Sequence, residues 1–287
     1  MRLSPEIRYC LEAVYDDIAY GDEETARQLR HRLALVELWG IEGDNRVLEV
    51  GCGQGETTVA LASVAGASGH ILGIDKESAA YGRPVSIGEA HSYIKSSLIG
   101  DRIEFRLSVN LLDTQLNFPE NAFDIAVFSH SSWYMDSPEE LGHLFARVRP
   151  WSKHLGYAEW DLRLQSLNQT PHLCAALLQA HIHSVTPQDS TANIRALILP
   201  EDARQLAQRA GWTILQEKVI ETSTPLGYGR SWEIQKALDM AEQWIASNDP
   251  SASEPIQTNL LVEKEFLRQI SDETRNMSLS TYAFLAE

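Results

Sequence analysis

The stretch from Arg46 to Glu56, reading R-V-L-E-V-G-C-G-Q-G-E, constrains the fold more than any other part of the chain. Val47, Leu48 and Val50 suit a buried strand. Gly51, Gly53 and Gly55 follow at alternate positions, and Glu56-Thr57-Thr58 opens a helix. Glycine reaches positive φ at no steric cost, so Gly51 and Gly53 allow a tight turn and leave the main chain bare toward a ligand. Gly55 lets the helix pack close to the strand, and the free amides at the helix start attract negative charge. Strand, glycine turn and helix in that order form the ligand-binding corner of an open α/β sheet. The spacing is G-x-G-x-G, and Glu49 sits in the strand end. The G-x-G-x-x-G dinucleotide fingerprint is therefore not met.

The rest of the chain supports an alternating α/β pattern. Strands are expected over 70–75, 102–107, 123–128, 154–161, 212–221 and 278–285. The strand at 70–75 ends in Asp75, roughly 20 residues past the glycine turn, where such folds place an acid for ribose hydroxyls. Helices are expected over 56–65, from Pro84 to about residue 98, after the Ser137 cap and Pro138, and over 200–211, which has a proline near its start and a glycine just past its end. Two helices, over 5–20 and 22–40, precede the first strand and form an N-terminal helical cap, residues 1–40. The main domain covers 41–287. It carries two helical insertions, at about 162–199 and 222–278; the second holds helices over 231–246 and 256–271.

Composition narrows the function. The 287 residues carry a formal charge of −16, which disfavours a nucleic-acid partner because no basic cluster supplies the needed field. Cys10, Cys52 and Cys174 are scattered, with neither metal-ligand nor disulfide spacing. That usage, and an N-terminus without a long apolar run, lead to an expected cytoplasmic location. No stretch has the roughly 20 apolar residues of a membrane span. His181 and His183 lie two apart without a supporting ligand cluster, so no metal is expected.

Glu49-Val-Gly-Cys-Gly-Gln-Gly55, Gly73-Ile-Asp75 and Asn121-Ala-Phe-Asp124 before an apolar strand together resemble the motifs of class I S-adenosylmethionine-dependent methyltransferases. The likeness runs from Arg46 to about Leu162. It implies a three-layer α/β sandwich around a seven-stranded, mostly parallel sheet, with the last strand antiparallel between strands five and six. It implies S-adenosylmethionine as cofactor, held by Glu49, Gly51, Cys52, Gly53, Gly55, Thr57, Asp75, Lys76 and Ser129. The adenine contact after strand three falls on Asn110 with Leu111, or on Asp113. Ser129-His130 at the end of strand four replaces the D/N-P-P-Y/F signature of amine and nucleobase methylation.

Methyl transfer needs an in-line geometry, a dry site and, for a protonated nucleophile, a base. His130 is the first candidate, since an imidazole can take a hydroxyl proton near neutral pH. Glu159 and Asp161 straddle the end of strand five as further catalytic candidates. Tyr20, Trp133, Tyr134, Trp160 and Tyr228 are candidate substrate contacts, and Cys52 reads as a space-filler. The expected activity is methyl transfer to a small molecule, O-methylation ahead of N or C, with the cap and insertions as a lid. A homodimer stays open. Rival readings are a binding protein without methyl transfer and a protein or RNA methyltransferase.

Overall fold

The computed structural model describes residues 23–83, 85–186, 192–221, 227–247, 254–274 and 276–287. The expected helix over 5–20, Tyr20 and Pro84 lie outside them, as does the side chain of Tyr228.

Seven strands form one sheet. In chain order they are β1 (Arg46–Val50), β2 (His70–Ile74), β3 (Ile103–Arg106), β4 (Phe123–Ser129), β5 (Ser152–Trp160), β6 (Ile214–Ile220) and β7 (Thr281–Ala286). Their spatial order is β3-β2-β1-β4-β5-β7-β6. The pairs from β3 through β5 are parallel, while β7 runs antiparallel to both β5 and β6. Strand order reverses beside β1, so the carboxyl ends of β1 and β4 flank the crevice where open α/β sheets bind ligands.

Strand alternation sends Val47 and Leu48 to opposite faces, and both are fully buried. On one face α1 (Glu23–Leu38), α2 (Glu56–Val64) and α3 (Ile87–Ser96) cover β1 and β2 with Leu35, Trp39, Leu61 and Ile94. On the other, α4 (Pro138–Val148) and α6 (Pro200–Arg209) pack Phe145 and Ala203 against Phe128, Tyr157 and Phe284. Burial on both faces is what an all-apolar strand such as Val47–Val50 requires, apart from Glu49. Trp39 ties α1 to the sheet by donating its indole N–H to the carbonyl of Phe284 at 3.1 Å.

The helix expected from Pro84 starts instead at Ile87. The Ser86 hydroxyl accepts from the Glu89 N–H, and the Glu89 carboxylate accepts from the Ser86 N–H. That reciprocal capping box fixes the start. The remaining helices, α5 (Thr170–Val185), α7 (Gly227–Ser247) and α8 (Glu254–Glu273), pack mainly on one another through Leu178, Ile182, Ile234, Met240, Leu260 and Leu267. They form a helical unit beside the sheet's carboxyl edge. His181 serves that unit, its Nδ1 lying 3.0 Å from the Glu263 carboxylate across α5 and α8. No described helix is long and apolar enough to cross a membrane.

Candidate active site

The glycine turn takes the predicted form. Gly51, Gly53 and Gly55 have φ of +74°, +50° and +95°. The N–H groups of Gly51 and Cys52 both donate to the Ile74 carbonyl, at 2.8 and 3.2 Å. The glycines serve different ends. A Cβ on Gly55 would stand 2.6 Å from Ile94 Cδ1, so the end of that α3 side chain would have to shift to admit one. A Cβ on Gly53 would meet nothing within 4 Å; it would project into open cleft. Asp75 faces the same turn, accepting the Gly53 N–H at Oδ2 (2.8 Å) and the Glu77 N–H at Oδ1 (2.9 Å). Each oxygen keeps a further lone pair for a ligand hydroxyl. Cys52 is buried, and burial pushes its thiol well up, as suits a space-filler.

A cleft of about 770 Å³ runs from this turn along the carboxyl ends of the strands, under α1 and α7. Glu49 lies at its base with 1% exposure. Its Oε2 accepts the Thr58 hydroxyl at 2.5 Å. Burial pushes its carboxyl up to about 8, although the Thr58 bond and nearby Arg32 pull the other way. Thr57 donates to the Ser129 hydroxyl at 3.2 Å, linking α2 to the end of β4. After β3, Asn110 and Leu111 line the cleft. Asp113 does not; its carboxylate accepts the Gln115 N–H, and its carbonyl accepts from Arg147. Lys76 sits at the rim, 3.9 Å from Glu140.

At the other end stands His130. Its backbone has φ +50° and is held by an N–H bond to the Ala158 carbonyl at 2.8 Å. Its Nδ1 lies 3.4 Å from Glu159 Oε1, and its Nε2 lies 3.1 Å from Nε2 of His31 on α1. Glu159, 2% exposed, braces the turn after β4. Its Oε2 accepts from the Ser132 N–H (3.1 Å), the Ser132 hydroxyl (2.7 Å) and the Trp133 N–H (3.2 Å). Trp160 packs against His130 at 4.4 Å and stacks on His31 at 6.0 Å between ring centres. Trp133 and Tyr134 line the same space.

Asp161 is placed elsewhere. It is fully buried, off the cleft, and accepts from Arg163 Nε and Nη2 at 2.9 and 2.8 Å. That pairing leaves it no access to a substrate. The sequence reading also missed groups that reach the cleft from distant segments: Gln28, His31 and Arg32 on α1, and Glu233 and Lys236 on α7. Glu233 touches His172 of α5. His172 Nδ1 accepts the Leu279 N–H at 2.9 Å, which leaves Nε2 to carry the ring proton beside Glu233.

The sheet order, the bare glycine turn and the acid ending β2 define the fold of class I S-adenosylmethionine-dependent methyltransferases. The chain belongs to the methyltransferase-domain family, whose model matches residues 20–217. It is similar to a cyclopropane-fatty-acyl-phospholipid synthase-like protein from Lactobacillus casei, with 31% identity, a TM-score of 0.79, and coverage of 92% of this chain and 91% of that one. It is 28% identical over 210 residues to the methyltransferase phomM of Diaporthe leptostromiformis, covering 61% of this chain. The chain spans about half, 54%, of that relative's length. A geranyl diphosphate methyltransferase solved with S-adenosylmethionine shares the fold, with 16% identity, a TM-score of 0.51, and coverage of 95% of this chain and 94% of that one.

The cofactor is S-adenosylmethionine, and the residues present fit it. Gly53 leaves the turn uncovered, and Asp75 has acceptor capacity to spare. Glu49 offers a carboxyl, and two buried donors on the cleft wall, Arg32 Nε and Trp133 Nε1, find no hydrogen-bond partner among the described residues.

Proposed function

We propose that the protein transfers a methyl group from S-adenosylmethionine to a hydroxyl of a small-molecule acceptor. What supports this reading is one observation: a histidine–carboxylate contact, His130 with Glu159, opens onto the same cleft as the glycine turn and Asp75. Bound S-adenosylmethionine supplies a methyl carbon activated on a sulfonium. In this proposal Gly51, Gly53, Asp75, Asn110 and Leu111 hold the cofactor, with Glu49 at its charged end. Trp133, Tyr134 and Trp160 confine the acceptor and exclude water. The charge of the proton that the acceptor gives up comes to rest on the imidazole of His130, beside Glu159. The preference for oxygen rests on that imidazole, since a hydroxyl must lose a proton to become a stable ether. The helices α1 and α7 close the cleft as a lid.

Incubation with methyl-labelled S-adenosylmethionine and a metabolite extract, read by mass spectrometry, tests the reading. A labelled methyl ether is the expected product. A chain that binds the cofactor in calorimetry yet labels nothing would refute methyl transfer, and a product labelled on carbon or nitrogen would refute the choice of oxygen.

A further inference from the structure

The proposed base has a difficulty of access. His130 Nδ1 is buried against Glu159, and its Nε2 faces His31. Neither nitrogen is left for an acceptor molecule. We infer that His31, on the N-terminal helix α1, is a catalytic residue: the acceptor-facing half of a two-imidazole base, with His130 and Glu159 behind it. This rests on the methyl-transfer reading above and deepens it.

The proton count follows from the contacts. Two ring nitrogens 3.1 Å apart hold one proton between them. Two N–H groups pointed at each other would repel, and so would two lone pairs. The Glu159 carboxylate, 3.4 Å away without a formed hydrogen bond, favours the tautomer with its proton on His130 Nδ1, and Nε2 of His130 is then the lone pair. The shared proton then belongs to His31 Nε2, which also lies 3.2 Å from the Thr281 hydroxyl. His31 Nδ1 makes no hydrogen bond to a described residue, and His31 lines the cleft.

The surroundings keep that nitrogen unprotonated. Burial, then the neighbouring His130 and Arg32, hold His31 well below the usual histidine range. The groups that face it are His130 at the end of β4, Thr281 at the start of β7, Arg32 on its own helix and the stacked ring of Trp160. Glu159 acts on it only through His130. A neutral imidazole with one free lone pair is the competent form of a base.

In the reaction the acceptor's O–H bond breaks and its proton goes to His31 Nδ1. The proton on His31 Nε2 passes to His130 Nε2. His31 ends neutral in its other tautomer, and His130 ends as an imidazolium beside Glu159. The acceptor oxygen forms its bond to the methyl carbon as the carbon–sulfur bond breaks, and that bond's electron pair stays on sulfur. The charge is thus deposited one residue away from the acceptor, next to a carboxylate already fixed by the Ser132 and Trp133 amides.

The test combines His31→Asn and His31→Gln with nitrogen-15 NMR of the histidine rings. In the unmodified protein at neutral pH, His31 is expected to be neutral, protonated at Nε2 and bare at Nδ1; the variants assign its signals. A doubly protonated His31, or one protonated at Nδ1, overturns the inference without any acceptor being known. Turnover is read with labelled S-adenosylmethionine on whichever extract fraction the wild type labels. Both variants should lose turnover by roughly 10²–10⁴-fold, while calorimetry with S-adenosylhomocysteine gives wild-type affinity. Wild-type turnover in His31→Asn sinks this inference alone. A wild type that labels no fraction removes the methyl-transfer reading, and this inference with it.

Discussion

Replacing Glu49 with glutamine gives the sharpest physical test of the cofactor site. The carboxyl is buried at the strand end and pushed from an ordinary 4.5 up to about 8, chiefly by desolvation. The fold therefore favours the protonated, neutral form. Its contribution is complete below pH 4.5, falls as pH rises through the window from 4.5 to about 8, and is gone above it. Each tenfold in proton affinity is worth about 1.4 kcal/mol, so the whole window corresponds to about 5 kcal/mol. Glutamine has the same shape and cannot ionise, and its amide stays neutral at every pH. Unfolding in urea at about pH 5 and about pH 9 should give similar stabilities for the two proteins at the acid end. At the alkaline end Glu49→Gln should be the more stable by several kcal/mol, with an advantage of roughly 2–4 °C in Tm per kcal/mol. Stability curves that stay parallel across the window would refute the reasoning, because they would mean that Glu49 ionises in the fold at no cost.

Glu49 should also couple cofactor binding to pH. The cationic methionyl end favours the ionised carboxylate, so binding should release a proton and tighten as pH rises toward 8; calorimetry in two buffers of different ionisation heat measures it, and a zero proton count rejects the placement of that end beside Glu49. Gly53→Ala and Gly55→Ala should part company. At Gly53 the new Cβ enters the open cleft, so cofactor affinity falls while folding loses about 1–2 kcal/mol from the left-handed backbone alone. At Gly55 the Cβ meets Ile94 at 2.6 Å, adding roughly 1–3 kcal/mol of overpacking to the unfolding measurement. Asp161→Asn should destabilise by about 1–3 kcal/mol, through the lost bonds to Arg163, yet leave cofactor affinity unchanged; a large fall in affinity would return Asp161 to the site.

The fold was legible where the signal is local. Val47-Leu-Glu-Val50 before three alternating glycines has no good alternative to a buried strand and tight turn, and Asp75 and Phe123–Ser129 carry similar short-range signals. The slot of β7 was not readable from its own residues. Alternation marks it as a strand but says nothing of its neighbours, and only the family resemblance placed it between β5 and β6. The start of α3 was misplaced because proline at a helix start is a weaker constraint than the two hydrogen bonds of the Ser86–Glu89 box. Glu159 and Asp161 both stand as candidates from the sequence, one of them facing the site, because strand alternation alone cannot choose between residues two apart at a strand's end. Parity ends where the strand does: β5 stops at Trp160, the Asp161 N–H donates to the Ser280 carbonyl, and the side chain turns to Arg163.

His31 shows why the rest of the site stays hidden in one dimension. It sits one helical turn before Leu35, on the buried face of α1, where a single histidine reads as part of the core. Its chemistry comes from groups 99 and 250 residues away, His130 and Thr281. Thr281 reaches it because β7 lies between β5 and β6, which sets Thr281 beside Trp160 on one side and Ile220 on the other. Pairing of the C-terminal strand therefore completes the surroundings of an N-terminal residue. The glycine turn is built from neighbours in sequence and can be read as a motif. The pair of imidazoles is built from four separate elements, α1, β4, β5 and β7. No motif can encode it, since each residue alone is ordinary and only the sheet order brings their nitrogens within a proton's reach.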